Sequence, residues 1–425
     1  MNKRTGDLRP LRIAFCVYRG NPYSGGQGVY TKHLSHELAK RGHTVEVYSG
    51  QPYPDLDPES VVLNKLASLD LYRAEDPFRI PKIEEFGSLI DVAEFALMCS
   101  GGFPEPRTFG WRLERALESR LGDFDLIHDN QSLSWSILRL AQKGLPVIGS
   151  IHHPITVDRA LAIEHGRGLK SKIGAYRWYG FVKMQSEVAS RMERVLTVSE
   201  TSRTDLFKYM NVALERSRVV PIGVDTSVFK PNPAIRREPG LIVTTASADV
   251  PLKGLQVLVE AMAEVKNVEP KSHLVIIGNP NKGSNLPSRV FELGLDAYVK
   301  FAGVVAQDEM VRLYNRAEVA VVPSLYEGFS LPAVEAMACG VPLVATDGGA
   351  LPEVTGTDGE TVLMARAGDY LDLAKKILQA LDSSILRDEL GRNAMERVMS
   401  KFTWEATARA TEQNYFDLLS ARGED

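Results

Sequence analysis

At 425 residues the chain is too long for one ordinary hydrophobic core, so two domains are expected. Its 44% hydrophobic and 24% charged residues are those of a soluble globular protein, and a formal charge of −4 argues against nonspecific nucleic-acid binding by the whole molecule. No segment approaches the ~20 apolar residues that cross a bilayer, and the polar start, Met1–Pro10, does not lead into a signal peptide. Cys16, Cys99 and Cys339 match no metal-ligand or paired-thiol spacing. All three sit beside apolar residues and are expected to be buried free thiols, which suits a reducing, cytoplasmic compartment.

Leu11–Tyr18 is strand-like and runs into a glycine-rich turn from Gly20 to Gly28. Val29–Lys40 has helical spacing, Gly42 stops it, and Thr44–Tyr48 reads as the next strand. This β–loop–α–β order begins a doubly wound parallel sheet. Gln51–Phe109 is less periodic and reads as elaboration. Strands return at Phe124–His128, Pro146–Ile151 and Arg194–Ser199, with helices over Ser134–Lys143 and Thr201–Met210. Pro221–Pro233 combines prolines with a glycine and is a candidate hinge. A second α/β pattern then starts at Leu241–Thr245, with a helix over Leu255–Val265 and strands at His273–Gly278, Val319–Pro323 and Val341–Thr346. Helices cover Tyr370–Leu381, Arg387–Met399 and Trp404–Leu419. The expected division is 1–219 and 220–400, each a Rossmann-like domain. Residues 401–425 form a helix packing back across the boundary. Two such α/β sheets would face each other across a deep cleft, where ligands gather at strand carboxyl ends.

The most informative segment is Tyr326–Gly340, directly after a strand. Ser330 is suited to cap the helix, Pro332 to its first turn and Gly340 to its end. Free amides near Gly328, Phe329, Ser330 and Leu331 would offer hydrogen bonds to phosphate. Glu327 and Glu335 could each accept from paired sugar hydroxyls, although on spacing alone a surface helix with solvated glutamates is the plainer reading.

This segment resembles the Glu-x7-Glu signature of the retaining glycosyltransferase family 4, whose members have the two-domain GT-B fold. The likeness extends to Gly25-Gly26, Ser199-Glu200, Gly223-Val224-Asp225, Lys253-Gly254, Phe301-Ala302-Gly303, Gly348-Gly349 and Pro352-Glu353. It implies that 1–219 is the acceptor-side domain and 220–400 the nucleotide-sugar-binding one, in which Glu335 holds the nucleotide ribose and Glu327 the donor hexose. Gly25 and Gly26 would carry the loop over the diphosphate, and Lys253 would stand beside the departing diphosphate, where charge grows as the glycosidic bond breaks. The family's arginine a few residues before this lysine is absent from Ser247–Leu252. The resemblance also places a functional histidine at His152, offering a directed donor to a sugar hydroxyl, with His153 beside it. His128-Asp129 is open between lining the acceptor side and a structural cap.

Asp55/Asp57 and Asp123/Asp125 read as solvent-facing acids, and no metal is assigned. Leu169–Arg194 mixes basic residues with Tyr176, Trp178, Tyr179 and Phe181, so contact with an anionic membrane stays open beside a helix simply packed on its domain. The expected activity is retaining transfer of a hexose from a UDP- or GDP-linked sugar to a hydroxyl on a lipid or small polar acceptor. A noncatalytic nucleotide-sugar sensor is the alternative.

Overall fold

The computed structural model describes residues 9–22, 26–73, 75–156, 159, 163, 168–246, 251–281 and 283–423. The chain divides into two units, one of residues 1–198, 202–220 and 407–425, the other of residues 199–201 and 221–406.

In the first unit β1 (Arg12–Val17) is fully buried from Ile13 onward, as a central parallel strand covered on both faces must be. It pairs with β2 (Thr44–Ser49) and β4 (Leu126–Asn130). With β3 (Val62–Lys65), β5 (Val147–Ser150), β6 (Arg194–Thr197) and β7 (Ser217–Val219) they form a parallel sheet in the order β3-β2-β1-β4-β5-β6-β7. The order reverses between β1 and β4, so the loops leaving those two strands part and leave a crevice at their carboxyl ends.

The helices of this unit are α1 (Gln27–Lys40), α2 (Leu89–Cys99), α3 (Glu105–Leu117), α4 (Trp135–Gln142), α5 (Leu169–Trp178), α6 (Phe181–Arg191) and α7 (Glu200–Met210). The aperiodic stretch therefore holds β3, α2 and the start of α3. α2 escapes a periodicity reading because its buried face carries charge. Asp91 and Glu94 turn inward to Arg112 at 2.6 and 2.8 Å, while Leu89 and Val92 are exposed. Gly110 lies within α3 because any side chain there would strike Ser134 Oγ, 2.1 Å from an added Cβ.

The basic–aromatic segment becomes α5 and α6, and its rings mostly face inward. Trp178 packs edge-on to Tyr72 at 5.5 Å and beside Phe103 at 5.2 Å, and Phe103 also meets the buried Phe181. Tyr176 is exposed, beneath the Arg159 guanidinium. Aromatic residues offered to a membrane are thus largely used in packing. Two smaller expectations also change. Cys99, at the end of α2, is exposed, whereas Cys16 and Cys339 are buried. Asp125 is mostly covered, because it accepts from the Arg12 amide at 2.7 Å and pairs with Arg9 and Arg12.

The second unit repeats the plan with β8 (Leu241–Thr245), β9 (His273–Ile277), β10 (Val299–Gly303), β11 (Val319–Val322), β12 (Leu343–Thr346) and β13 (Leu363–Ala365). Their parallel order, β10-β9-β8-β11-β12-β13, reverses between β8 and β11. Its helices are α8 (Leu255–Val268), α9 (Leu286–Glu292), α10 (Gln307–Arg316), α11 (Leu331–Ala338), α12 (Leu351–Thr355), α13 (Tyr370–Asp382) and α14 (Ser384–Lys401). Leu258, Met262, Leu274, Val321, Val344 and Ile377 are among its buried core. Pro221–Pro233 is tied into this unit. Val224 N donates to Phe402 O at 2.8 Å, and an added Cβ on Gly223 would meet Trp404 N at 2.4 Å.

The last helix, α15 (Trp404–Arg422), contributes residues 407–422 to the first unit. Glu412 is buried there, accepting from Arg41 at 2.5 Å and from His43 Nε2 at 2.9 Å. His43 Nδ1 accepts from Leu11 N at 3.0 Å, so the proton on the ring sits at Nε2 and points to Glu412. Glu412→Ala leaves both donors facing an uncharged site and is expected to cost about 2–3 kcal/mol, read as a lower urea midpoint at unchanged slope.

Candidate functional site

The loops leaving β8 and β11, the two strands at the reversal of the second sheet, carry Lys253 and Glu327 respectively. The structure joins them. Lys253 Nζ donates to Glu327 Oε1 and Oε2 at 2.9 and 3.1 Å, and Ser324 Oγ donates to Oε1 at 2.7 Å. Glu327 is nearly buried, while Lys253 keeps more of its surface exposed. A carboxylate so held is fixed in rotamer and has part of its charge compensated.

Local backbone explains why this pair forms. Pro251–Lys253 is one 3-10 turn, closed by Gly254 at φ 65°. A Cβ at Gly254 would lie 1.9 Å from Pro323 O, so the two loops approach only because the residue is glycine. Leu325 N donates to Leu252 O at 2.8 Å, stitching them together. Beneath, Gly349 adopts φ 64° with its Cα against Glu327 O, which accepts from Ala350 N at 2.8 Å. Within the second unit, Ser199 Oγ donates to Gly328 O at 2.6 Å, and both Glu353 oxygens accept from Glu200 N at 2.9 Å. The paired motifs Ser199-Glu200, Gly348-Gly349 and Pro352-Glu353 therefore brace the Glu327 loop.

α11 begins as expected with Pro332 in its first turn, and Gly340, at φ 66°, follows its end. Ser330 does not cap it by its side chain. It takes φ 85° and ψ 81°, which turns the hydroxyl away from the first-turn amides and leaves Oγ buried without a hydrogen-bond partner among the described residues. A non-glycine residue held there stores about 1–3 kcal/mol of strain. The first-turn amides of α11 lack acceptors within the helix, so this terminus, with the orphan hydroxyl beside it, presents donors suited to phosphate. Phe329 is buried with its ring edge-on to Phe402, which anchors the turn.

Glu335 lies one turn into α11, half-buried, and burial pushes its carboxyl up to about 7. Nearby, the buried Tyr314 hydroxyl is engaged with Thr245 Oγ1 at 2.8 Å. A carboxylate taken from water with so little compensation is one a ligand's hydroxyls would stabilise.

In the first unit His152 follows β5, and Gly26 starts α1 at φ 73°; Gly25 lies outside the described residues, as do Ser247–Val250. No side-chain crowding explains glycine at Gly26, since an added Cβ would have open space; the left-handed backbone does. His152 Nε2 sits 2.8 Å from Asn130 Oδ1, and its ring stands edge-on to Tyr30 at 4.4 Å between centroids. Burial lowers its pKa to about 4, so the imidazole is neutral near pH 7. Gln131, held at φ 59°, clamps this turn by accepting from His152 N at 3.0 Å and donating to His153 O at 2.9 Å.

His128 and Asp129 resolve as structural. His128 is fully buried between Tyr415 Oη at 2.6 Å and Ser150 Oγ at 2.7 Å, and burial lowers its pKa to about 3. Asp129 accepts from Ser132 N, Ser132 Oγ and Leu133 N, capping the turn after β4. Sequence reasoning passed over Ser324, Gln131 and Asn130. Asn130 ends β4 next to the reversal of the first sheet, and that position was its only available signal.

Residues 24–228 match the family described as Glycosyltransferase Family 4, and residues 229–397 match Glycosyl transferases group 1. An MMP α-(1→4)-mannosyltransferase of Mycolicibacterium hassiacum is 44% identical over 402 residues, covering 94% of this chain and 97% of the relative. A D-inositol 3-phosphate glycosyltransferase of Acidothermus cellulolyticus is 29% identical, covering 97% and 92%. Among solved structures, a sucrose-phosphate synthase from Thermosynechococcus elongatus superposes with TM-score 0.69 at 24% identity, covering 97% of this chain and all of that one. Anabaena HepE in complex with UDP and glucose superposes with TM-score 0.67 at 17% identity, covering 96% and 100%.

Proposed function

The chain belongs to glycosyltransferase family 4 and has the GT-B fold, and from that premise we propose that it transfers mannose from a nucleoside-diphosphate donor to the 4-hydroxyl of an acceptor sugar, forming an α linkage. The observation that carries this reading is the full-length likeness to a mannosyltransferase, together with Lys253 and Glu327 joined at the reversal of the second sheet. The base, uracil or guanine, is left to experiment.

The second unit is assigned the donor. Glu335 accepts from the ribose hydroxyls, the amides from Gly328 to Leu331 at the start of α11 and the Ser330 hydroxyl meet the diphosphate, and Lys253 opposes the charge that grows on its leaving oxygen. Glu327 receives hexose hydroxyls. Held by Lys253 and Ser324, it is a poor covalent nucleophile, which favours an orienting role. An α-linked product from an α-linked donor is retention, and the departing phosphate oxygen would take the acceptor proton. In the first unit, the loop of Gly25 and Gly26 is assigned to the diphosphate and His152 to a sugar hydroxyl.

Free thiols at Cys16, Cys99 and Cys339 suit a reducing compartment, so the proposal places the reaction in the cytoplasm. No helix among the described residues is long and apolar enough to cross a membrane. With Trp178 and Phe181 turned inward, membrane contact would rest on the basic residues of α5 and α6 together with the exposed Ile173 and Tyr176.

The test supplies UDP- and GDP-linked hexoses with α-mannoside acceptors bearing a free 4-hydroxyl, in the absence of membranes, and reads the product linkage by NMR. An α-(1→4)-mannoside is expected. Release of free sugar alone, with no acceptor modified across the panel, would sink the proposal.

A further inference from the structure

His152 was expected to offer a hydrogen-bond donor, and the hydrogen bonds around it reverse that expectation. Gln27 O is a carbonyl and can only accept. Thr31 Oγ1 donates to it at 2.8 Å, so the Thr31 oxygen is left as an acceptor toward its other neighbour. Asn130 Nδ2 faces both, at 3.2 Å from Gln27 O and 3.1 Å from Thr31 Oγ1. A flipped amide would set its oxygen against two acceptors, so the Asn130 orientation is fixed. Its Oδ1 must then face His152 Nε2, at 2.8 Å, and Nε2 must carry the proton.

In a neutral imidazole this leaves Nδ1 as a bare lone pair. That atom is buried and has no hydrogen-bond partner among the described residues. The ring is held in this orientation by the Nε2–Asn130 bond and the edge-on Tyr30 contact, while Gln131 pins the backbone of His152–His153. Burial also keeps the ring from gaining a second proton near neutral pH. An unfilled buried acceptor is a standing cost, and a ligand hydroxyl removes it.

We infer that Asn130 is a positioning residue that locks His152 as the Nε2-protonated tautomer, so that Nδ1 accepts a hydrogen bond from a hydroxyl of the reacting sugar. This rests on the proposed role of His152 in sugar transfer, but the tautomer does not. Gln27 and Thr31, in the first turn of α1, set the lock from behind, so the helix that follows Gly26 and the histidine after β5 are coupled through one amide.

The test has two arms on the full chain. Nitrogen-15 histidine spectra, with the His152 signals identified by their loss in His152→Gln, read the tautomer without substrate. A protonated Nε2 and an unprotonated Nδ1 are expected. An Nδ1-protonated ring in the wild type overturns the inference whatever the enzyme's activity. Asn130→Asp can still accept from Nε2 and is expected to keep the tautomer. Asn130→Leu cannot, and is expected to populate both tautomers and lower kcat/KM about tenfold, the scale of one hydrogen bond. Asn130→Leu with unchanged spectra and unchanged kcat/KM also overturns it. Failure of the wild type to transfer from either GDP-mannose or UDP-glucose counts against the proposed function, and the spectra still decide the lock.

Discussion

Glu335→Ala weakens binding of the nucleotide-sugar donor by about 10²–10³-fold, the loss expected for two hydrogen bonds to a charged acceptor, while the chain stays folded. Calorimetric titration with the donor found in the transfer assay measures it, and unchanged affinity would remove Glu335 from the ribose. The same residue gives the interaction a pH signature. In the free protein burial holds its carboxyl up at about 7, with Tyr314 and Cys339, both themselves raised and neutral there, as titrating neighbours. Ribose hydroxyls stabilise the ionised form, so donor affinity is full above about pH 7 and falls as pH drops below it. Stability runs the other way. The folded state holds this proton to higher pH than the unfolded chain does, so the contribution of Glu335 is favourable at low pH and is lost as pH rises toward about 7. Glu335→Gln is therefore expected to stabilise the unliganded protein at pH 8 by on the order of 2 kcal/mol and to leave it nearly unchanged at pH 4. Melting temperatures of the two proteins at both pH values check this, and equal shifts at both would refute the buried-charge account.

Lys253→Ala lowers kcat by about 10²–10³-fold, the scale of one lost donor to a developing oxyanion, with a smaller change in acceptor KM. Two features make the effect large. No arginine occurs in Ser247–Leu252 to share the charge, so more of the leaving-group stabilisation falls on Lys253. Removing the ammonium also leaves Glu327, nearly buried, with Ser324 Oγ as its remaining side-chain hydrogen-bond donor among the described residues. Lys253→Arg keeps the charge and is expected to recover part of the rate, since the guanidinium must fit where an ammonium bridges both Glu327 oxygens. Wild-type turnover in Lys253→Ala would exclude the lysine from the reaction.

Much of the fold could be read from local pattern. Buried parallel strands are continuous apolar runs, so β1, β5, β8, β9 and β11 announced themselves, and α8 and α11 were marked by Gly254 before the one and Gly340 after the other. The reading failed where burial and polarity part company. α2 buries Asp91 and Glu94 and exposes Leu89 and Val92, because Arg112 on the next helix neutralises the inward charges. β3 is a four-residue edge strand with little burial to impose a pattern. The basic–aromatic stretch left two readings open, since composition cannot say whether Trp178 finds water, lipid or Phe103, and the structure sets it against Phe103.

Family membership, two α/β repeats and the residue types at Lys253, Glu327, Glu335 and His152 were determined by the sequence alone, because glycines with left-handed backbone and charged residues beside apolar strands leave marks at short range. Tertiary structure decided what those residues do to one another. It joined Lys253 to Glu327, left the Ser330 hydroxyl unfilled, placed Glu335 where burial raises its pKa, and made the free nitrogen of His152 an acceptor through Asn130. Each of these depends on a partner far away in the chain or on the loss of solvent, and a hydrogen bond's direction is fixed by its neighbours in space rather than its neighbours in sequence.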